Sequence, residues 1–96
     1  MSRIVPEALE AINEAEALAE RFEHRSVFSR LHRLRGVFLA AMGADETQTE
    51  ASFSEAIRIA REQKSVSLEK RAEATNAEYR RQKASGLGGR GIRLPL

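Results

Sequence analysis

Sliding the 96-residue sequence along itself by 41 positions brings two apolar stripes into register, and this self-similarity limits the possible folds more than any other feature. Ala8, Ile12, Ala15, Leu18 and Ala19 fall on Thr49, Phe53, Ala56, Ile59 and Ala60. Further along, Ser26 falls on Ser67, Arg30 on Arg71, Leu34 on Thr75, Gly36 on Ala77 and Phe38 on Tyr79. Steps of three and four within each stripe mark a helix that buries one side. A repeat of this length in an all-helical chain means helix pairs, each closing its apolar face against the next.

The punctuation of the sequence places four helices. Pro6 suits a first helical turn, where its missing N–H has no partner to lose, and the stripe through Phe22 carries that helix to about His24. Ser26 is the expected N-cap of a second helix, which continues through Val27, Leu31, Leu34, Phe38 and Ala41 to a stop at Gly43. A third runs from about Glu46 to Lys64 with Phe53, Ala56, Ile57 and Ala60 inward, and Ser65 or Ser67 is expected to cap a fourth along Leu68, Ala72, Thr75 and Tyr79. The expected bounds are therefore 6–24, 26–42, 46–64 and 66–84, making residues 1–85 one all-α unit of about two antiparallel pairs. Its expected core includes Ala8, Ile12, Ala15, Leu31, Leu34, Gly36, Phe38, Phe53, Ala56 and Ala60. Glycines and a proline in the closing GLGGRGIRLPL forbid further helix, so residues 86–96 read as a flexible tail.

Composition narrows the chemistry. Without cysteine there is no disulfide framework, thiolate metal site or Cys nucleophile. No stretch approaches the roughly 20 apolar residues of a bilayer span, and MSRIVPEALE lacks the apolar centre of a secretory signal, so a soluble, cytoplasmic chain with no membrane association is expected. A net charge of +2 hides a polarity: Glu7, Glu10, Glu14, Glu16, Glu20 and Glu23 crowd the first helix, whereas Arg80, Arg81, Lys83, Arg90 and Arg93 close the chain.

Each candidate constellation has a plain structural reading. His24 and His32 are the only histidines and have no further ligands at metal spacing. Arg25, Arg30, His32, Arg33 and Arg35 could hold phosphate or an acidic helix, but Arg30 and Arg33 oppose Leu31, Leu34 and Phe38, as expected of a solvated face. GLGGRG imitates a dinucleotide fingerprint without the strand and helix that such a site requires. Asp45, the only aspartate, lies in a turn, and the glutamates of the first helix read as solvent-facing. The expectation is a non-enzymatic chain with no cofactor and no metal.

The small–large–small spacing of Ala8, Ile12 and Ala15, with Gly36 at the small position of the following helix, resembles a tetratricopeptide repeat. More specifically, LHRLRG at 31–36, EASFSEAIRIAREQKSVSLEKRA at 50–72 and the ending EYRRQKASGLGGRGIRLPL are similar to the far C-terminal part of a bacterial signalling family. That family joins a class III adenylate or guanylate cyclase domain, or a transcriptional output domain, to a predicted NTPase and a tetratricopeptide array. The resemblance implies a tetratricopeptide-like α-solenoid and touches only the array, so none of the family's enzymatic residues carries over. Members that continue into a further closing helix imply that this chain is a truncated fragment.

The function expected on these grounds is a protein-interaction or structural module. Its partner would be a protein, a peptide, the other domains of a parent signalling protein, or a second copy in a homo-oligomer. The expected groove is lined by Arg30, Arg33 and Val37 and, one repeat on, by Lys70, Ala74 and Tyr79. The alternative is a nucleic-acid-associated module using the basic C-terminal segment, against which stand the acidic first helix and the want of stacking aromatics near the tail.

Overall fold

The computed structural model of the chain describes residues 4–21, 27–86, 92 and 94. All regular structure among them is helical: α1 (Ile4–Arg21), α2 (Phe28–Ala41), α3 (Glu46–Glu62) and α4 (Val66–Ala84). Pro6 falls in the first turn of α1, where no intrahelical donor is lost. Phe22, Glu23, His24, Arg25 and the expected cap Ser26 lie outside the described residues. The N-cap position of α2 is held by Val27, and Ser65 stands at the N-cap of α4 without a capping bond from its hydroxyl. The starts of α3 and α4 rest instead on backbone bonds, Thr49 N to Asp45 O and Glu69 N to Ser65 O, both 3.0 Å.

The helix stops follow one scheme. After α2, Gly43 takes a φ of 72° and donates to Ala40 O, while Ala44 donates to Leu39 O. After α3, Lys64 repeats this at φ 58°, donating to Arg61 O while Ser65 donates to Ala60 O. Both are Schellman closures that satisfy the last carbonyls through one left-handed residue. The second uses a residue with a Cβ where glycine would sit without strain.

Neighbouring helices run antiparallel, as the contacts between them show. Ser29 Oγ donates to Ala56 O at 2.8 Å, and Gly36 meets Phe53, so numbers rise along α2 as they fall along α3. Arg61 pairs with Glu69 and Glu73 near one end of α3 and α4, Phe53 meets Tyr79 in the middle, and Arg80 pairs with Glu50 at the other end. The stack is open: α1 packs on α2 and on neither α3 nor α4, whereas α2 packs on all three of the others.

That central position of α2 changes which of its residues are buried. Leu31, Leu34 and Phe38, expected in the core, are only half-buried, and the enclosed row is Ser29, Arg33, Gly36, Val37 and Ala40. A helix touched on several sides has no single inward stripe, and apart from Arg33 the enclosed row consists of small or short side chains. At Gly36 an added Cβ would stand 2.5 Å from Cε1 of Phe53, so the ring occupies the place of a side chain. Ile12, Phe53, Ala56 and Ala60 are buried as expected, while Ala8 and Ala15 are half-buried because α1 has only one neighbour.

The core closes with a residue from the C-terminal segment. Ile92, 3% exposed, joins Val37, Ala40, Phe53 and Tyr79 in one cluster, and Leu94 packs against it. The free tail expected for residues 86–96 is therefore corrected at these two positions: both are seated on the helices. The rings of Phe53 and Tyr79 beneath them lie 5.7 Å apart at 54°, a tilted arrangement favoured by the ring quadrupoles.

Candidate functional site

Because α1 leans on α2 alone, a cleft of about 670 Å³ remains between α1 and α3, floored by α2. Its walls carry Glu16 and Glu20 from α1 and Glu55, Arg58, Ile59 and Glu62 from α3, with Phe28 and His32 on the floor. The helical spacing that lines Glu55, Arg58, Ile59 and Glu62 along one side of α3 is what brings them to this wall.

At one edge of the cleft, polar side chains tie α1 to α2. Arg35 forms an ion pair with Glu16 and donates to Asn13 Oδ1 at 2.7 Å. His32 Nε2 lies 3.3 Å from Glu16, and its Nδ1 is 3.3 Å from Arg35 Nη1. Burial pulls the His32 pKa below its ordinary value; Glu16 pulls the other way, and Arg35 again downward. The lowered pKa favours the neutral ring, whose Nδ1 can accept from Arg35. Across the cleft Arg58 donates to Glu55 at 2.6 and 2.9 Å and to Glu62 at 2.9 Å. Those bonds hold the Glu55 carboxyl below the usual carboxylate range and raise the Arg58 guanidinium above its own. With Arg35 paired to Glu16 at the edge, four carboxylates stand against two guanidinium groups, so the lining is acidic.

The six residues expected to line a groove do not share a surface. Arg30, Lys70 and Ala74 face solvent, whereas Val37 and Tyr79 lie in the core cluster and Arg33 is only 4% exposed. Burial, with Arg71 and Arg30 nearby, lowers the pKa of Arg33 from its ordinary value. Val37 and Tyr79 share one core cluster with Ile92 of the same chain. Glu16, expected to face solvent, is half-buried against Arg35. The sequence signal for the tie was present in the i, i+3 spacing of His32 and Arg35 and in the acidic face of α1, but not the pairing between them.

Among the described residues, no group of three or more His, Cys, Asp or Glu side chains could hold a metal ion, and no helix is long and apolar enough to cross a membrane. Compared with known proteins, the chain matches no family model, no curated protein and no solved structure.

Proposed function

We propose that this chain is a non-catalytic, cytoplasmic protein-interaction module of tetratricopeptide-like helix pairs whose α1–α3 cleft receives a basic segment of a partner protein. One observation carries the reading: the stack stays open at α1, which leaves a cleft lined by four carboxylates instead of closing into a bundle. The apolar floor and wall, Phe28 and Ile59, supply burial, and the acidic rim selects positive charge and speeds encounter. The functional side chains of the cleft are already engaged in bracing, His32 with Glu16 and Arg58 with Glu55 and Glu62, an arrangement suited to a fixed binding surface. The link to the cyclase and NTPase regulators rests on the sequence strings alone.

Titration of the full chain with a synthetic amphipathic helix, bearing Arg and Lys on one side and Leu on the other, tests this reading. The expected result is saturable binding that weakens with salt and falls at least about tenfold in a Glu20→Lys/Glu62→Lys variant that retains its helical circular dichroism. Equal affinity of the folded variant and the wild type would remove the cleft as the binding site.

A further inference from the structure

The 41-residue repeat sets α1 in register with α3 and α2 with α4, so the α1–α2 pair corresponds to the α3–α4 pair. The packing of α2 on α3 has no such counterpart among the described residues: its equivalent would join α4 to a helix like α1, and those two do not touch. Both sides of that contact are nevertheless present and bare. Four of the five enclosed residues of α2 are Ser29, Arg33, Gly36 and Ala40, and their equivalents Lys70, Ala74, Ala77 and Arg81 are all exposed. On α3, Thr49 and Ser52 are buried and Ile59 is 8% exposed, whereas the equivalent Ala8 is half-buried, Ala11 is exposed and Leu18 is 53% exposed.

We infer that the outer side of α4 receives α1 of a second copy of this chain, repeating between chains the antiparallel packing of α2 on α3. Carried over by the shift, Gly36 against Phe53 becomes Ala77 against Ile12: the side that gains a Cβ meets a side chain smaller than a ring. The same register brings Arg81 and Lys83, at the basic end of α4, beside Glu7 and Glu10 at the start of α1, and Lys70 beside Glu14. Opposite charge at both ends favours this direction of approach over the reverse. The carboxylates of α4 at Glu69, Glu73 and Glu78 are already paired with Arg61 and Arg81. Leu18 and Ala11 supply apolar area to bury. Because the two faces differ, each contact leaves one free face of each kind, and copies add head to tail instead of closing as a dimer. The acidic cleft takes Glu16, Ala19 and Glu20 from another side of α1, so this association does not depend on the cleft reading.

Sedimentation of the full chain over a wide concentration range, at low and high salt, is the test. The expected result is a weight-average mass that climbs past that of a dimer with concentration and falls as salt is raised. Ala77→Glu sets a carboxylate on α4 against the acidic α1, and Leu18→Lys sets an ammonium on α1 near Lys70. Each variant, with its helical circular dichroism retained, should weaken self-association at least about tenfold. Mixed in equal amounts, the two should form a heterodimer that grows no further, because each keeps the face that the other has lost. If either variant loses its helical signal, Ala74→Glu and Glu7→Lys/Glu10→Lys serve as the same two arms. A wild type that stays monomeric to about 1 mM, or one that stops at a dimer, overturns the inference. So do folded variants that associate as wild type does, or a mixture no heavier than its components. Binding of a basic helix in the cleft is untouched by any of these outcomes.

Discussion

Phe53 occupies the space that a side chain at position 36 would need: a Cβ built on Gly36 would lie 2.5, 2.7 and 2.8 Å from three carbons of its ring. That contact sets the spacing of α2 and α3, and Phe53 is fully enclosed there beside Tyr79. Gly36→Ala should therefore lose about 1–3 kcal/mol despite alanine's better helix propensity, because a ring packed on all sides has nowhere to move. Denaturant melts decide it; a variant as stable as wild type would show that the α2–α3 contact is loose.

Lys64 should respond in the opposite sense. It closes α3 in the left-handed region at φ 58°, whereas the matching stop after α2 uses Gly43. Replacing Lys64 with glycine removes the Cβ strain and keeps both closing bonds, for an expected gain of about 0.5–1 kcal/mol. In a chain this small, that gain is a rise in Tm of a few degrees, and an unchanged or lower Tm would contradict it.

The pH dependence of stability should carry the mark of His32. Burial depresses its folded pKa, so the unfolded chain takes up a proton first as pH falls. The contribution is complete above the unfolded value of about 6.5 and is lost as pH drops through that value toward the folded pKa. Glu16 on α1, Arg35 on α2 and Glu55 and Arg58 on α3 are the charges acting on the ring. Melts of wild type and His32→Gln from about pH 7.5 to about pH 5.5 should show the wild type losing more stability on acidification. A wild type that instead gains relative to the variant would mean that Glu16 outweighs burial.

Asn76 is buried on α4, and its Oδ1 has no hydrogen-bond partner among the described residues. A buried acceptor left without a donor costs about 1–3 kcal/mol, so Asn76→Ala, which removes that acceptor without adding volume, should be neutral or stabilising by about 1 kcal/mol. A clear drop in Tm would point to a role for the amide that its buried setting does not reveal.

The helices themselves were legible because they depend on local chemistry. Apolar steps of three and four, Pro6 in a first turn and Gly43 after a last one act within a few residues of where they stand. The 41-residue repeat also paired some buried residues, Ile12 with Phe53 and Ala19 with Ala60, but Leu18 is exposed where its counterpart Ile59 is buried, because α1 packs on one helix and α3 on two. Along α2 it did not predict burial, because α2 meets three helices and α4 meets two, so equivalent positions have different neighbours. Leu31, Leu34 and Phe38 carried the hydrophobic signal, yet Gly36, Val37 and Ala40 took the enclosed row, where close approach of α3 favours small side chains.

Local pattern did not locate the acidic cleft or the seat of Ile92. Glu16 and Arg35 are 19 residues apart, and nothing local to either distinguishes this pair from the other charges on α1 and α2. Ile92 alternates with Leu94 and Leu96, a pattern that could cover an apolar face but names none, and its burial requires a cluster assembled from Val37, Ala40, Phe53 and Tyr79 on three helices. The sequence by itself determined the helices, their stops and their order, since each follows from backbone preference and periodic burial within a short window. Only the tertiary structure decided which side of α2 is enclosed, how α1 and α3 come to bound a cleft, and where the C-terminal segment rests, because those outcomes depend on contacts between residues that adjacency cannot relate.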